Sequence, residues 1–458
     1  MSIGDERSLH DLHAESADIH SLSKGREEGA CEAPYVGWDE LEEHGCLARH
    51  KVCIDQNRFI TFDERMVPGP SYQKDGLFFD QHAHHNIPGY QDNVMGAKAA
   101  YYEVMARANS SSDPADIQEP SFQKCEVPLV WWPWWPFNAA DVFMGSLLPL
   151  ERMLREGAIS SQVRPVPVLD GLRLPAFYQW WFAPFFERKV TPLADISDRS
   201  RAGRRCFEHV IMCSPQGIFN QPANGSWLNG TLPFATGQQI VDYHIEKVPT
   251  SQPVSTPGLP APKQDLLKVA LIERSNTRHI VNLPDILTAC NEELQAAGRQ
   301  AHCTALSFDG VNDFPALLRE LQTVDVLVGV HGAGLINSFF MRPGSAMVEI
   351  FPCRFPADWA SHYFWRPALV ERRIMPFQVH MQDEARCQPS QLEKSPAGVN
   401  YHEGAEFVRA SLARDQDVLI DFRALQQVIN RIERLKGSLD SLPDRMANLS
   451  PSYFVVSS

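Results

Sequence analysis

The residues with the clearest chemical potential are the run Val330-His331-Gly332-Ala333-Gly334-Leu335-Ile336-Asn337. A β-branched stretch, DVLVGV, ends at Val330, and a helix is expected to open within three residues. Gly332 and Gly334 remove side chains where a ligand would have to approach the main chain. Exposed N–H groups and the positive end of the helix dipole would then face that ligand, an arrangement suited to a pyrophosphate. His331 stands at the mouth of this turn and could donate to a phosphate oxygen. The same spacing also fits a tight strand-to-helix turn with no ligand. Arg274 and Arg278 flank a loop, ERSNTRHIVN, that follows another strand of the same region. In a parallel sheet both loops lie on one edge, where guanidinium groups suit a dianionic diphosphate by bidentate bonding; otherwise they are surface charge. Glu349 closes a further strand, AMVEIF, at a place where a carboxylate can bind two vicinal ribose hydroxyls or form an ion pair.

Other constellations carry less. Trp131, Trp132, Trp134 and Trp135 crowd around Pro133, and Trp134 and Trp135 are candidates for stacking on an acceptor sugar, against a packing role for the rest. Gln81-His82-Ala83-His84-His85 has no acid or cysteine at ligand spacing and reads as a solvated loop, so no metal site is expected. The chain has no GxSxG elbow and no HExxH pair. A dinucleotide fold would need a third glycine in the turn and an acid roughly 20 residues on. Leu335 through Asn337 supplies no such glycine.

The elements that must position these residues read as follows. Residues 268–273, 301–308, 325–330 and 346–351 are expected strands, separated by two amphipathic helices. The first helix has Pro284 in its opening turn and Gly298 as its stop; the second is capped by Asp313. This alternation predicts a doubly wound α/β domain whose ligand lies beyond the carboxyl ends of the strands. Upstream, residues 127–132, 163–169 and 206–213 are expected strands, and 138–156 and 177–188 expected helices. Residues 249–263 hold five prolines and no large aromatic group, the stiffest linker signal in the chain. The resulting division is a disordered tail over 1–30, an N-terminal α/β domain over 31–248, the linker, a C-terminal domain over 264–416, and a terminal strand and helix over 417–440.

The 458 residues carry 42 Lys and Arg against 56 Asp and Glu, a net charge of −14 that disfavours nucleic acid and anionic lipid. No stretch approaches the roughly 18 apolar residues of a spanning helix, and the first residues show no secretory signal. Ten cysteines without a CxxC pair, and sequons at Asn109, Asn224, Asn229 and Asn448, lean toward disulfides in an oxidising lumen. A cytoplasmic protein with buried thiols is the alternative if Met1 is the authentic start.

The C-terminal half resembles the family 61 glycosyltransferases. The likeness is carried by Glu273-Arg274 through Asn282, by DVLVGVHGAGLINSFFMRPGSAMVEIFP, and by DQDVLID at 415–421. It implies a GT-B architecture, two Rossmann-like bodies facing across a cleft, with the last helix returning to the first body. It also implies an inverting transfer from a UDP-sugar such as UDP-N-acetylglucosamine, UDP-xylose or UDP-arabinose to a protein or glycan, without an obligatory metal, in the endoplasmic reticulum or Golgi lumen. On this reading Arg274, Arg278, His331, Gly332, Ala333 and Gly334 hold the donor and Glu349 its ribose. One departure stands out. Where related sequences tend to have Asn-x-x-His and a following acid, this chain has Asn138-Ala139-Ala140-Asp141 and no such acid. An inverting transfer needs a base for the acceptor hydroxyl, which leaves Asp141, His331, or a non-catalytic sugar-nucleotide-binding relative that has lost its base.

Overall fold

A computed structural model describes residues 34–37, 40–55, 58–62, 103–107, 121–131, 133, 136–169, 174–197, 206–213, 232–246, 266–275, 277–296, 301–355, 363–388, 415–435 and 439–457. The expected tail, the proline-rich linker, the histidine run at 82–85, the first three sequons, Trp134 and Trp135 lie outside these residues.

Two six-stranded sheets organise the chain. The first contains β1 (Cys46–Asp55), β2 (Arg58–Thr61), β3 (Glu103–Arg107), β4 (Pro128–Trp131), β5 (Arg164–Pro167) and β6 (Cys206–Cys213), in the order β3-β2-β1-β6-β4-β5. It is mixed: β1 runs antiparallel to β2 and β6, whereas β4 runs parallel to β5 and β6. Cys46 faces Cys213 and Cys53 faces Cys206 in the β1–β6 register, and both pairs are disulfide-bonded. The bonds close nested loops of 167 and 153 residues, and the first of them to form constrains the unfolded chain by on the order of 5 kcal/mol in the entropic account. Cys290–Cys303 and Cys353–Cys387 are also joined, and no described cysteine is free.

The second sheet positions the candidate site. It comprises β7 (Leu267–Glu273), β8 (Ala301–Ser307), β9 (Val326–Val330), β10 (Ala346–Phe351), β11 (Met375–His380) and β14 (Val455–Ser457), in the order β8-β7-β9-β10-β11-β14, with every pairing parallel. Between them in sequence, β12 (Cys387–Gln388) and β13 (Asp417–Val418) form a separate antiparallel ribbon. β9 and β10 are buried at every position, as their unbroken apolar text requires of strands covered on both faces. Val269, Leu271, Val326 and Val328 point into one core with helices Leu283–Ala296 and Phe422–Leu435. Ala270, Ile272 and Leu327 point into the other, with helix Phe314–Leu321 and the segment Ala333–Phe340.

Four expectations are corrected. The segment after the glycine turn is an eight-residue 3-10 helix, Ala333–Phe340, rather than an α-helix. Helix 177–188 shortens to Ala176–Phe182, consistent with the exclusion of Pro184 from a helix interior. Helix Phe422–Leu435 buries its predicted stripe against the second sheet and does not return to the first. The chain then continues past 440 to add β14 to that sheet's edge.

Helix Pro233–Glu246, assigned above to the N-terminal domain, lies against Ala333–Phe340 of the second body. The contact is close enough that a Cβ at Gly237 would sit 2.3 Å from the carbonyl oxygen of Phe339. From the first body, Phe143 stacks on Phe339 at 6.0 Å and Trp180 stacks on Phe314 at 4.9 Å. The two sheets therefore share one continuous apolar core.

Glu371, at the end of helix Trp365–Glu371, accepts hydrogen bonds from the backbone N–H groups of Phe234 and Ala235 and so fastens the first turn of helix Pro233–Glu246. Burial, opposed by those two bonds, raises its pKa from 4.5 to about 7. The folded chain thus holds this proton at pH values where the unfolded chain has released it, so stability falls as pH rises from about 4.5 to about 7. The full effect is roughly 3 kcal/mol, reduced to about 1–2 kcal/mol by partial exposure. Glu371→Gln should flatten the dependence of the denaturation midpoint on pH across that window; a curve identical to that of the parent protein would contradict the assignment.

Candidate active site

The strand order places β8 on one side of β7 and β9 on the other, so the chain reverses direction across the sheet between β7 and β9. Helices leave on opposite faces there and open a crevice beyond the carboxyl ends, the usual place for a ligand in a doubly wound sheet. Arg274 follows β7 directly and His331 follows β9 directly. The two loops singled out by residue type therefore meet at the topological switch point.

Their meeting is close. A Cβ added at Gly332 would lie 2.6 Å from Nη1 of Arg274 and 2.6 Å from Nη1 of Arg278. Gly332 is extended, with φ 160°, so glycine is needed there for space rather than for backbone conformation. Gly334 is different: a Cβ would make only ordinary contacts, 3.4 Å from Ile272 and Phe308.

Both arginines are held in place. Arg274 donates from Nε to the carbonyl of Thr277 at 2.9 Å. Arg278 donates from Nη1 to the carbonyl of His331 at 3.0 Å and lies 3.5 Å from the carboxylate of Asp415. Its backbone is left-handed, φ 63°, a conformation costing on the order of 1 kcal/mol for a side-chain-bearing residue. The surrounding bonds sustain it. The Asp417 carboxylate accepts from the His279 backbone N–H at 2.8 Å and lies 2.9 Å from its ring Nδ1. Val418 and the 279–281 backbone exchange hydrogen bonds, and the Asn282 amide bonds both ways with the backbone of Ile420. The DQDVLID segment is thus a clamp on the arginine loop.

His331 is enclosed by Phe351, Phe355, Tyr363 and Phe364, with ring centroids 5.0–6.4 Å away. Its Nδ1 is 2.7 Å from Oε1 of Glu349, and the two share one proton. Glu349 is fully buried within β10, so in this structure its carboxyl faces His331 rather than the crevice. It supports the histidine from behind. Burial holds its pKa well above the ordinary carboxylate range, and Oε2 has no hydrogen-bond partner among the described residues.

Asp141 lies across from this group. Asn138 caps the helix Ala139–Val142 by accepting from the N–H groups of Ala140 and Asp141, and a π-turn, Phe143–Leu147, carries the helix on to Leu148–Arg155. Asp141 is 7% exposed, and its Oδ1 accepts a hydrogen bond from the Tyr363 hydroxyl at 3.2 Å. The two candidate bases therefore both meet one tyrosine, Asp141 at its hydroxyl and His331 at its ring. Tyr363 was not singled out from the sequence, where nothing in ASHYFW distinguishes it, and neither were Asp415 and Asp417 as supports of the arginine loop. Among the described residues no cluster of three His, Cys, Asp or Glu could hold a metal ion, and no helix is long and apolar enough to cross a membrane.

Known proteins resemble this chain over the same region. The family model described as Glycosyltransferase 61 matches residues 141–348, which begin at Asp141 and end one residue before Glu349. An alpha-1,3-arabinosyltransferase of Oryza sativa subsp. japonica is 25% identical over 35% of this chain and 28% of its own length. A xylan glycosyltransferase of Arabidopsis thaliana is 25% identical over 35% of this chain and 32% of its own. A protein O-linked-mannose beta-1,4-N-acetylglucosaminyltransferase of Bos taurus is 23% identical over 65% of this chain and 52% of its own. The chain thus spans about half or less of the length of these relatives.

Gly332→Ala would push a methyl group against two flexible guanidinium ends rather than against backbone. The melting temperature should change little, while affinity for a diphosphate ligand, measured with UDP by calorimetry, should fall at least about tenfold, or roughly 1.4 kcal/mol. Unaltered UDP affinity would show that the guanidinium positions at this turn are irrelevant to binding.

Proposed function

We propose that this chain, whose residues 141–348 match the Glycosyltransferase 61 model, is an inverting enzyme moving a sugar from a UDP-sugar to a protein or glycan acceptor. The observation that carries this reading is the convergence of Arg274 and Arg278 on Gly332 at the switch point of a parallel sheet. Two fixed guanidinium groups, His331 and the backbone of Gly332, Ala333 and Gly334 would receive the diphosphate. As the acceptor oxygen attacks the anomeric carbon, its proton passes to the base. The bond from that carbon to the UDP oxygen breaks, and the electron pair leaves with the β-phosphate. The developing charge is met by preorganised cations and N–H donors, so the reaction requires no divalent ion.

The buried pair supports one division of roles between the two candidate bases. Glu349 favours its neutral form, from which its O–H donates to Nδ1 of His331. The imidazole then carries its own proton on Nε2 and serves as a donor to the departing diphosphate, leaving Asp141 as the base. Trp134 and Trp135 remain candidates for stacking on the acceptor. The disulfides fit an oxidising compartment such as the lumen of the endoplasmic reticulum or Golgi. The two bodies and the apolar core between them fit a GT-B arrangement. The family resemblance implies a histidine where Asp141 stands, which leaves a second reading, a non-catalytic sugar-nucleotide binder.

Purified protein tested against UDP-xylose, UDP-arabinose and UDP-N-acetylglucosamine should release UDP with at least one donor; retention of UDP with no turnover on any donor would favour the second reading. Arg278→Ala should cut that turnover at least about 100-fold without a large change in melting temperature, and full activity would remove it from the donor site. Glu349→Gln is diagnostic of the shared proton, because the glutamine amide can still donate to Nδ1. Turnover within about threefold of the parent is expected; a collapse of activity would mean that an ionised carboxylate, not a neutral carboxyl, supports His331.

A further inference from the structure

Tyr363 belongs to the second body, in the segment between β10 and helix Trp365–Glu371. Its hydroxyl donates to Asp141, which belongs to the first body and lies 222 positions away in sequence. Its ring meets the imidazole of His331 edge-on at 6.4 Å. One stretch of chain therefore supplies both supports of the site. Glu349 on β10 fixes the imidazole from beneath, and Tyr363 reaches the carboxylate beside it. Tyr363 is itself anchored. Phe364, which follows it, is 1% exposed and opens the helix that ends at Glu371, where the carboxylate binds the first turn of helix Pro233–Glu246. On the other side, Asn138 fixes the backbone of Asp141.

We propose that Tyr363 is a positioning residue that aims the Asp141 carboxylate at the reacting acceptor and couples it to the His331 side of the site. The assignment rests on the transferase reading above and adds a residue outside the 141–348 family match. A phenol bound to a carboxylate oxygen restricts that oxygen without neutralising it, so the carboxylate keeps its capacity to accept a proton while losing freedom to turn away. In sequences with a histidine at this place no such restraint on a carboxylate would be needed. The tyrosine thus offers a physical reason why aspartate is workable at position 141.

The test is a double-mutant cycle on UDP-sugar hydrolysis, read as UDP release from the most active of UDP-xylose, UDP-arabinose and UDP-N-acetylglucosamine, with UDP affinity measured in parallel. Tyr363→Phe removes one oxygen and no packing volume, and a thermal melt checks that the fold survives. It should lower kcat about tenfold, leaving KM and the Kd for UDP within about twofold, as expected when a transition-state contact alone is lost. Asp141→Asn should lower kcat about 100-fold or more. Combining the two should cost no more than Asp141→Asn alone, because the tyrosine acts only through the carboxylate. The proposal is overturned by an unchanged kcat in Tyr363→Phe, by losses that multiply in the double variant, by an active Asp141→Asn, or by a defect confined to UDP affinity. A parent protein with no turnover on any donor would overturn the transferase reading and this assignment together; turnover in the parent with an unaffected Tyr363→Phe would overturn this assignment alone.

Discussion

Two guanidinium groups occupy the space that a side chain at position 332 would fill. Both are held by backbone carbonyls, and Arg278 already has one opposite charge, Asp415, at 3.5 Å. Each part of the second body contributes to this constraint. The parallel sheet brings the loops after β7 and β9 to one edge. The left-handed turn at Arg278 directs its side chain back to the carbonyl of His331. The 415–420 segment bonds along the arginine loop, and the Cys353–Cys387 bond ties β12, the partner of β13, to the end of β10. The placement of the two arginines at the crevice is thus a consequence of topology and of a clamp distant in sequence.

A second constraint joins the two bodies. Phe143, Trp180 and helix Pro233–Glu246 are packed on the 3-10 helix that follows the glycine turn and on its neighbour Phe314–Leu321. Because that helix begins at the glycine turn, the apolar contact fixes the turn relative to Asp141. A proposed base and a proposed diphosphate site on separate sheets would demand such rigidity, since misplacement by about an ångström can cost orders of magnitude in rate.

Much of the second body was legible in the sequence because its signals are local and mutually consistent. DVLVGV and AMVEIF could only be strands buried on both faces, and Phe422, Leu425, Val428, Ile429, Ile432 and Leu435, which recur at helical spacing, all lie on the buried face of their helix. The meeting of His331 with the two arginines followed from the βαβ alternation alone. What escaped notice depends on tertiary contact. Glu349 has the residue type of a ribose ligand, but its strand is central and its side chain points into the interior, a direction that sequence position does not reveal. The destination of the last helix was misjudged because an amphipathic stripe specifies a buried face without specifying which sheet covers it. Tyr363 meets Asp141 across 222 positions and carries no local pattern at all.

The most direct measurement of the central claim is a crystal structure of the chain with UDP. The diphosphate should lie within hydrogen-bonding distance of Arg274, Arg278 and the main chain around Gly332, with Nε2 of His331 turned toward a phosphate oxygen and Glu349 still sealed behind it. A diphosphate bound elsewhere, with both guanidinium groups still turned away from it, would contradict the account.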